Sequence, residues 1–485
     1  MAIQCSGAVG GCSGTGGQEA QSQQSPSREA PSREARSHEA RSHEARSHEG
    51  QSVASASDVS PPPARLVPLL ALACGSSVAT VYFAQPLLVT LGERFGLGSG
   101  QLGAIVTVTQ LGYAAGLLTL VPLGDLLNHR RLITGQLALL ALALLAAGLA
   151  PGVAALLGAL AVVGLLAVVA QTMVAAAAAL TPRARRGRAV GTVTGGIVTG
   201  ILLARAAAGI LADLAGWRAV YLASAGVTVV LAVLLLRVLP ASAPSAGAPT
   251  AGETPGVTET PGVGERSYGR LVASTVALFV RHPLLRIRGA LALLVFAAFS
   301  TLWSGTAQPL SEPPWSLSHT AIGAFGLAGA AGAIAAGVAG RWNDRGLAHR
   351  TTGVGLALLA LSWLPIALTR QSLWALAIGA VLLDFAVQAV HVTNQTLIHA
   401  VRPDAGSRII GGYMVFYSAG SSLGALGSSL AYAAAGWPAV TALGTSFSLA
   451  ALLLWATTRR TGLPGDNSAV HRPSNVDRVD PGDGA

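Results

Sequence analysis

Asp384, Gln388, His391 and Gln395 follow one another at spacings of four, three and four residues inside a long apolar stretch. In a helix that spacing stacks all four on one face. A carboxyl withdrawn from water has its charged form disfavoured, which is what reversible protonation requires, and a histidine titrates near neutrality. Asp384 with His391 is thus a candidate proton-coupling pair. Two plainer accounts stand beside it: Asp384 permanently neutralised by Arg205 for structural reasons, and His391 without a part in coupling. Arg205 lies on another apolar stretch. There it either faces the same interior, as partner of a substrate or of Asp384, or extends its charge to the outer interface. A charge at bilayer depth costs about 2.5–3.5 kcal/mol even on the mildest scale, so both charges are functional candidates.

Covalent and metal chemistry find little support. The chain has no lysine, hence no P-loop of the form G-x-x-x-x-G-K-[ST], and no H-E-x-x-H pair. Cys5, Cys12 and Cys74 offer no disulfide framework. His38, His43 and His48 belong to a repeat tract whose metal binding would be weak. No metal and no cofactor are expected, and no enzyme; a membrane enzyme or sensor is the remote alternative.

Apolar helices must position these residues. The 485 residues are 52% hydrophobic and 11% charged, where soluble domains carry about 25% charge, and the mean hydropathy is +0.56. Uncharged runs recur at the length of roughly 18 residues that marks a spanning helix. Pro-Gly and Gly-Trp-Pro turns split the two longest, at Ala150-Pro151-Gly152 and Gly436-Trp437-Pro438. The expectation is an all-α membrane protein of twelve transmembrane segments: 66–91, 100–123, 132–149, 154–180, 189–212, 219–238, 289–311, 319–340, 351–369, 372–399, 409–435 and 438–458. A β-barrel would show segments of about ten residues with alternating polarity instead.

Every one of the 31 basic residues is arginine, and only Arg94, Arg205, Arg218 and Arg370 fall outside the tails, the even-to-odd loops and the helix ends bordering them. The positive-inside rule makes that side, with both termini, cytoplasmic, in a multi-pass inner-membrane protein. Scattered arginines explain the net charge of +10 without nucleic acid. Residues 1–64 carry pentads (PSREA, PSREA, RSHEA, RSHEA, RSHEG) with no apolar face, which reads as a disordered cytoplasmic tail. Domains are expected at 65–239 and 286–460, each a six-helix bundle, with a cytoplasmic linker at 240–285 and a disordered tail at 461–485.

The halves repeat. Ala215-Gly216-Trp217 returns as Ala435-Gly436-Trp437 at an offset of 220, Ala84-Gln85-Pro86-Leu87 as Ala307-Gln308-Pro309-Leu310 at 223, and Asp125 and Arg131 as Asp344 and Arg350 at 219. An even number of helices per repeat makes the halves parallel, related by an axis along the membrane normal. The polar stripe is not repeated: its aligned positions are Gly164, Val168, Gln171 and Ala175.

Two loops carry an acid followed by arginines: Gly340-Arg341-Trp342-Asn343-Asp344-Arg345-Gly346, and Gly124-Asp125 ahead of Arg130 and Arg131. Such an acid can pair with the arginines and with a helix N-terminus of the other half, acting as a latch; the alternative is a solvated loop. With G-x-x-x-D-R-x-G-R-R as its loop signature, the major facilitator superfamily is what residues 66–460 resemble. The segments Tyr82-Phe83-Ala84-Gln85-Pro86, Gln110-Leu111-Gly112-Tyr113 and Gly200-Ile201-Leu202-Leu203-Ala204-Arg205 are similar to the twelve-helix drug/proton antiporter and arabinose efflux permease-like branch. The first loop departs from the signature at Val121 and Leu126, and the antiporter Gly-Pro pair of the fifth helix is missing.

The resemblance implies a cavity lined by helices one, four, seven and ten. That points to Tyr82, Gln85, Gln171, Trp303, Gln308 and the Asp384 stripe, with Arg205 added from helix five, Tyr113, Tyr413 and Tyr417 at contacts between halves and the loop residues Asp125, Arg130, Arg131, Asp344, Arg345 and Arg350 as gates. The functional expectation is proton-coupled efflux of a small amphipathic molecule by alternating access. An uptake symporter or facilitator is the alternative. Expected partners are the substrate, protons and the lipid bilayer, around a monomer.

Overall fold

The computed structural model describes residues 65–125, 127–240, 277, 279–401 and 406–458. The expected tails at 1–64 and 461–485 and most of the 240–285 linker lie outside the described residues. Among those described, the secondary structure is entirely helical. The helices are α1 (Leu66–Ala79), α2 (Leu88–Phe95), α3 (Gly103–Thr119), α4 (His129–Gly148), α5 (Val153–Ala167), α6 (Val169–Leu180), α7 (Arg183–Ala215) and α8 (Trp217–Val238). In the second half follow α9 (Pro283–Gly305), α10 (Ala307–Ser311), α11 (His319–Ala324), α12 (Ala330–Asp344), α13 (Ala348–Ala367), α14 (Leu373–Val401) and α15 (Gly406–Thr458).

Ten helices or runs of consecutive helices among the described residues are long and apolar enough to cross a membrane, against the twelve segments expected. The difference has local causes. Segment 66–91 does not run as one helix: α1 stops at Ala79, and Gln85–Leu87 forms a 3-10 turn before α2. Pro86 there brings no N–H to an α-helical bond. Segments 409–435 and 438–458 merge in α15, yet Ala435 and Gly436 leave helical geometry inside it, Gly436 with φ +68°. The repeat partner Gly216 has φ +80° between α7 and α8. Both copies of Ala-Gly-Trp thus make the same left-handed turn that glycine adopts without penalty, and each buries its tryptophan.

Within the first half α1 packs on α7, α3 on α5 and α4 on α8; within the second, α9 on α15, α13 on α14 and α12 on α14. The halves meet through α3 against α15 and α7 against α11. Contact is concentrated at one end. Gly209 faces the His319 backbone and Gly323 faces that of Arg205 so closely that any added Cβ would overlap it. Thr107 donates to the Ser422 carbonyl at 3.1 Å. At the same end Asp213 Oδ1 meets His319 Nδ1 at 2.6 Å, Thr320 N–H donates to Asp213 Oδ2 at 2.8 Å, and His319 Nε2 lies 2.6 Å from Thr90 Oγ1. Toward the arginine-bearing end the helices part: a Cβ on Gly191 or Gly195 of α7, or on Gly337 or Gly340 of α12, would meet open space. The bundle is closed at one end and open at the other.

His319→Ala is expected to loosen the closed end by up to about 1 kcal/mol, the range of partly exposed pairs, shifting the balance toward opening there by up to about fivefold. Spin-label distances between the ends of α7 and α11 would report it. Unchanged distances would remove the Asp213–His319 pair from control of that end.

Candidate functional site

The helix breaks and the helix centres converge where the two halves begin to pack. Gln85 comes from the 3-10 turn after α1, Arg205 from α7, Trp303 from α9, Asp384 from α14 and Tyr417 from α15. All are buried, Arg205 to 3% exposure and Asp384 to 6%. Arg205 therefore does not extend to an outer interface. Its Nε donates to Gln85 Oε1 at 2.5 Å. Its guanidinium lies 4.4 Å from the Trp303 ring centroid, 5.1 Å from Tyr82 and 5.6 Å from Phe299, within the range where a ring quadrupole attracts a cation. The same Trp303 donates its indole N–H to Asp384 Oδ1 at 3.0 Å. One indole thus touches both buried charges. Tyr82 and Tyr417 bond hydroxyl to hydroxyl across the halves.

Gln308, the repeat partner of Gln85, is buried with its Oε1 unpartnered. Gln171 is half-buried and makes a long contact of 3.5 Å to the Tyr113 hydroxyl. Gln388 is half-buried on the same face of α14, against Gly332 of α12.

His391 and Asp384 go to different partners. His391 Nδ1 lies 2.9 Å from the Tyr413 hydroxyl and its Nε2 3.2 Å from Gln395 Nε2, with Phe296 edge-on at 5.1 Å. Seven residues of helix rise put roughly 10 Å between the two positions. The helical stripe is real as a face, but it serves two clusters rather than one pair.

That second cluster continues through Arg288, which donates to Thr352 Oγ1 and Asn394 Oδ1, each at 3.3 Å. Sequence reasoning missed Arg288 because it stands one residue before the expected start of its segment at 289. The available signal was Arg286-Ile287-Arg288, where two arginines two apart on a helix cannot both face outward. Phe296 and Phe299, ordinary apolar residues by type, were also missed.

The loop residues are arranged differently from a closed latch. Asp344, Arg345 and Arg350 are exposed and, among the described residues, form no ion pair. Their end of the bundle is the open one. Arg130 donates from Nη2 to the Leu236 carbonyl at 2.7 Å, a cation on the last turn of α8. Arg131 is exposed. The side chain of Asp125 lies outside the described residues. A cavity of about 440 Å³ opens elsewhere, between α1, α7 and α8, lined by Leu72, Phe83, Leu203, Val227 and other apolar groups; it holds none of the charges above.

A family model described as Major Facilitator Superfamily matches residues 70–311 and 294–478. Uncharacterized transporter YgaY of Escherichia coli O157:H7 is 43% identical over 390 residues, covering 80% of this chain and 94% of that protein. Probable transporter SCO4007 of Streptomyces coelicolor is 33% identical over 382 residues, covering 78% and 84%. Among solved structures, a bacterial homolog of the human lysosomal transporter Spinster, in an inward-facing and occupied conformation, superposes with a TM-score of 0.66 at 15% identity over 83% of this chain and 98% of that one. The human organic anion transporter MFSD10 superposes at 0.57 and 19% identity over 82% and 100%. Apolar helices long enough to span a bilayer and charges buried between two helical halves agree with these matches: the chain is a multi-pass membrane transporter belonging to the Major Facilitator Superfamily.

Proposed function

We propose that this chain is a proton-coupled exporter of small amphipathic molecules, spanning the inner membrane twelve times as a monomer and working by alternating access. The observation carrying this reading is the placement of Asp384. It is a buried acid at the junction that must part for the closed end to open, hydrogen-bonded to Trp303 and facing a cation contributed by the other half. Moving a proton on or off that carboxyl changes the charge balance across the junction, so protonation and the opening of one end are coupled through the same contacts. The arginine-bearing open end is read as cytoplasmic, with both termini there. Asp125, Arg130, Arg131, Asp344, Arg345 and Arg350 are read as the residues that close that end in the opposite state. His391, bonded to Tyr413 and half-buried toward the open side, is read as the group passing protons between Asp384 and that side.

The test is transport in proteoliposomes with an imposed proton gradient. Candidate substrates come from a growth-inhibition panel run with and without expression. Substrate movement opposite to the proton flux is expected. Movement in the same direction as protons would replace export by uptake symport, and movement indifferent to the gradient would leave a facilitator.

A further inference from the structure

Arg205 offers five N–H donors in a fixed fork. One is used, by Gln85, and Nη2 is buried with no partner. The three surrounding rings stabilise the guanidinium through its charge, but their faces supply no hydrogen-bond acceptor of carboxylate strength to its edge. Asp384 accepts at Oδ1 from Trp303, and its Oδ2 lies beside Gly329, 3.4 Å from where a Cβ would stand. Arg205 packs in the same way on Gly326, three residues earlier in the Phe325–Gly329 turn.

Arginine and carboxylate that serve only to cancel one another frequently close into a bidentate pair. Here they form no ion pair among the described residues. The Trp303 indole touches both, and bare glycine backbone flanks both. Gln308, five residues beyond Trp303 along the chain, is also buried with its Oε1 unpartnered. Among the described residues, no other charged residue faces Asp384 from the packed elements. α7 presents Arg205, α9 presents Trp303, the α1–α2 connection and α15 present Tyr82 and Tyr417, and the Phe325–Gly329 turn presents glycines.

We propose that this site takes a zwitterionic amphipath: a small molecule whose carboxylate meets the free edge of Arg205, whose protonated amine meets Asp384, and whose apolar or aromatic body lies against Tyr82, Phe299 and Trp303. The proposal rests on the reading of a proton-coupled exporter and names its substrate class. Charge balance selects the class. An amine alone would be repelled by Arg205, and an acid alone by Asp384; an uncharged molecule would leave both charges without a partner, and only one carrying both signs pairs each of them while keeping the buried site neutral. The balance also supplies the exchange, because an ammonium group and a proton compete for one carboxylate, so the substrate leaves when the proton arrives. At 3% and 6% exposure neither charge is reachable as the halves stand; the ligand enters as they part.

The experiment compares three probes sharing one indole ring, tryptophan, tryptamine and indole-3-propionate, by calorimetric titration of the full-length purified transporter. Proton release is followed in weakly buffered solution. Tryptophan is expected to bind at least about tenfold tighter than either single-charge analogue, the value of one charge-assisted hydrogen bond. Arg205→Met should erase the preference over tryptamine, and Asp384→Asn the preference over indole-3-propionate. Arg205→Lys keeps the charge without the fork and should weaken tryptophan binding while retaining the order, which covers the case in which Arg205→Met does not fold. Tryptamine binding the wild type as tightly as tryptophan, or none of the three binding, would overturn the substrate class. Tryptophan bound with the expected order but without proton release would sustain the class and overturn the proton exchange on which export rests.

Discussion

Asp384→Asn is expected to reduce gradient-driven substrate transport to the level of protein-free vesicles while the protein still inserts and folds. Asparagine keeps the volume and an oxygen for the Trp303 N–H, so the 3.0 Å bond to the indole survives. What it removes is titration. The variant also mimics the protonated carboxyl, a state the transport cycle must visit and the fold must therefore tolerate, so loss of the buried negative charge does not by itself predict unfolding. Substrate-induced proton movement should vanish with the coupling. Wild-type pumping against a gradient by this variant would assign Asp384 the static task of balancing Arg205.

Arg205→Met should abolish coupled transport just as completely, by the opposite route. Without the guanidinium the buried carboxyl has no compensating charge, and a buried acid in that position takes up a proton and stays neutral. The Gln85 oxygen also loses its donor, costing about 1–3 kcal/mol of stability. The informative comparison is with the double variant. If the two charges act as one unit, Arg205→Met with Asp384→Asn is no worse in transport than either single change. It is also no less stable than Arg205→Met alone, because removing both partners of a buried pair is milder than removing one. Transport by either single variant at a tenth or more of the wild-type rate, or losses that add in the double variant, would separate the two residues. Thermal unfolding in detergent and uptake into vesicles read the two arms independently.

Much of the fold was legible in the chain because membrane burial acts on local sequence. A backbone in lipid must satisfy its own hydrogen bonds, so each span appears as a contiguous apolar run whose length is fixed by the bilayer. Proline and glycine punctuate those runs wherever the backbone cannot remain α-helical. The repeated Ala-Gly-Trp turns were visible for that reason, and both copies adopt a positive φ at the glycine; the Gln-Pro pairs were visible only as a repeat, and they differ in form, a 3-10 turn at Gln85–Leu87 and a short α-helix at Ala307–Ser311. The count was less secure, since a break such as the one after Ala79 shortens a helix without ending its path through the membrane.

Side-chain partnership was decided elsewhere. Arg205, Gln85, Trp303 and Asp384 stand on four different elements, with 120 residues between the first two and 81 between the last two. No periodicity reaches across such intervals; the meeting is set by how closely α7 approaches α11, through Gly209 and Gly323. The converse holds for Asp384 and His391. Helical spacing correctly put them on one face, yet the rise of the helix separates them, and each is claimed by side chains from other helices. By itself the sequence determined a repeated bundle of apolar helices bearing a few buried charges, because lipid tests every residue locally. Only the tertiary structure decided which charges face one another, because that depends on crossing angles and close approaches that no single segment contains.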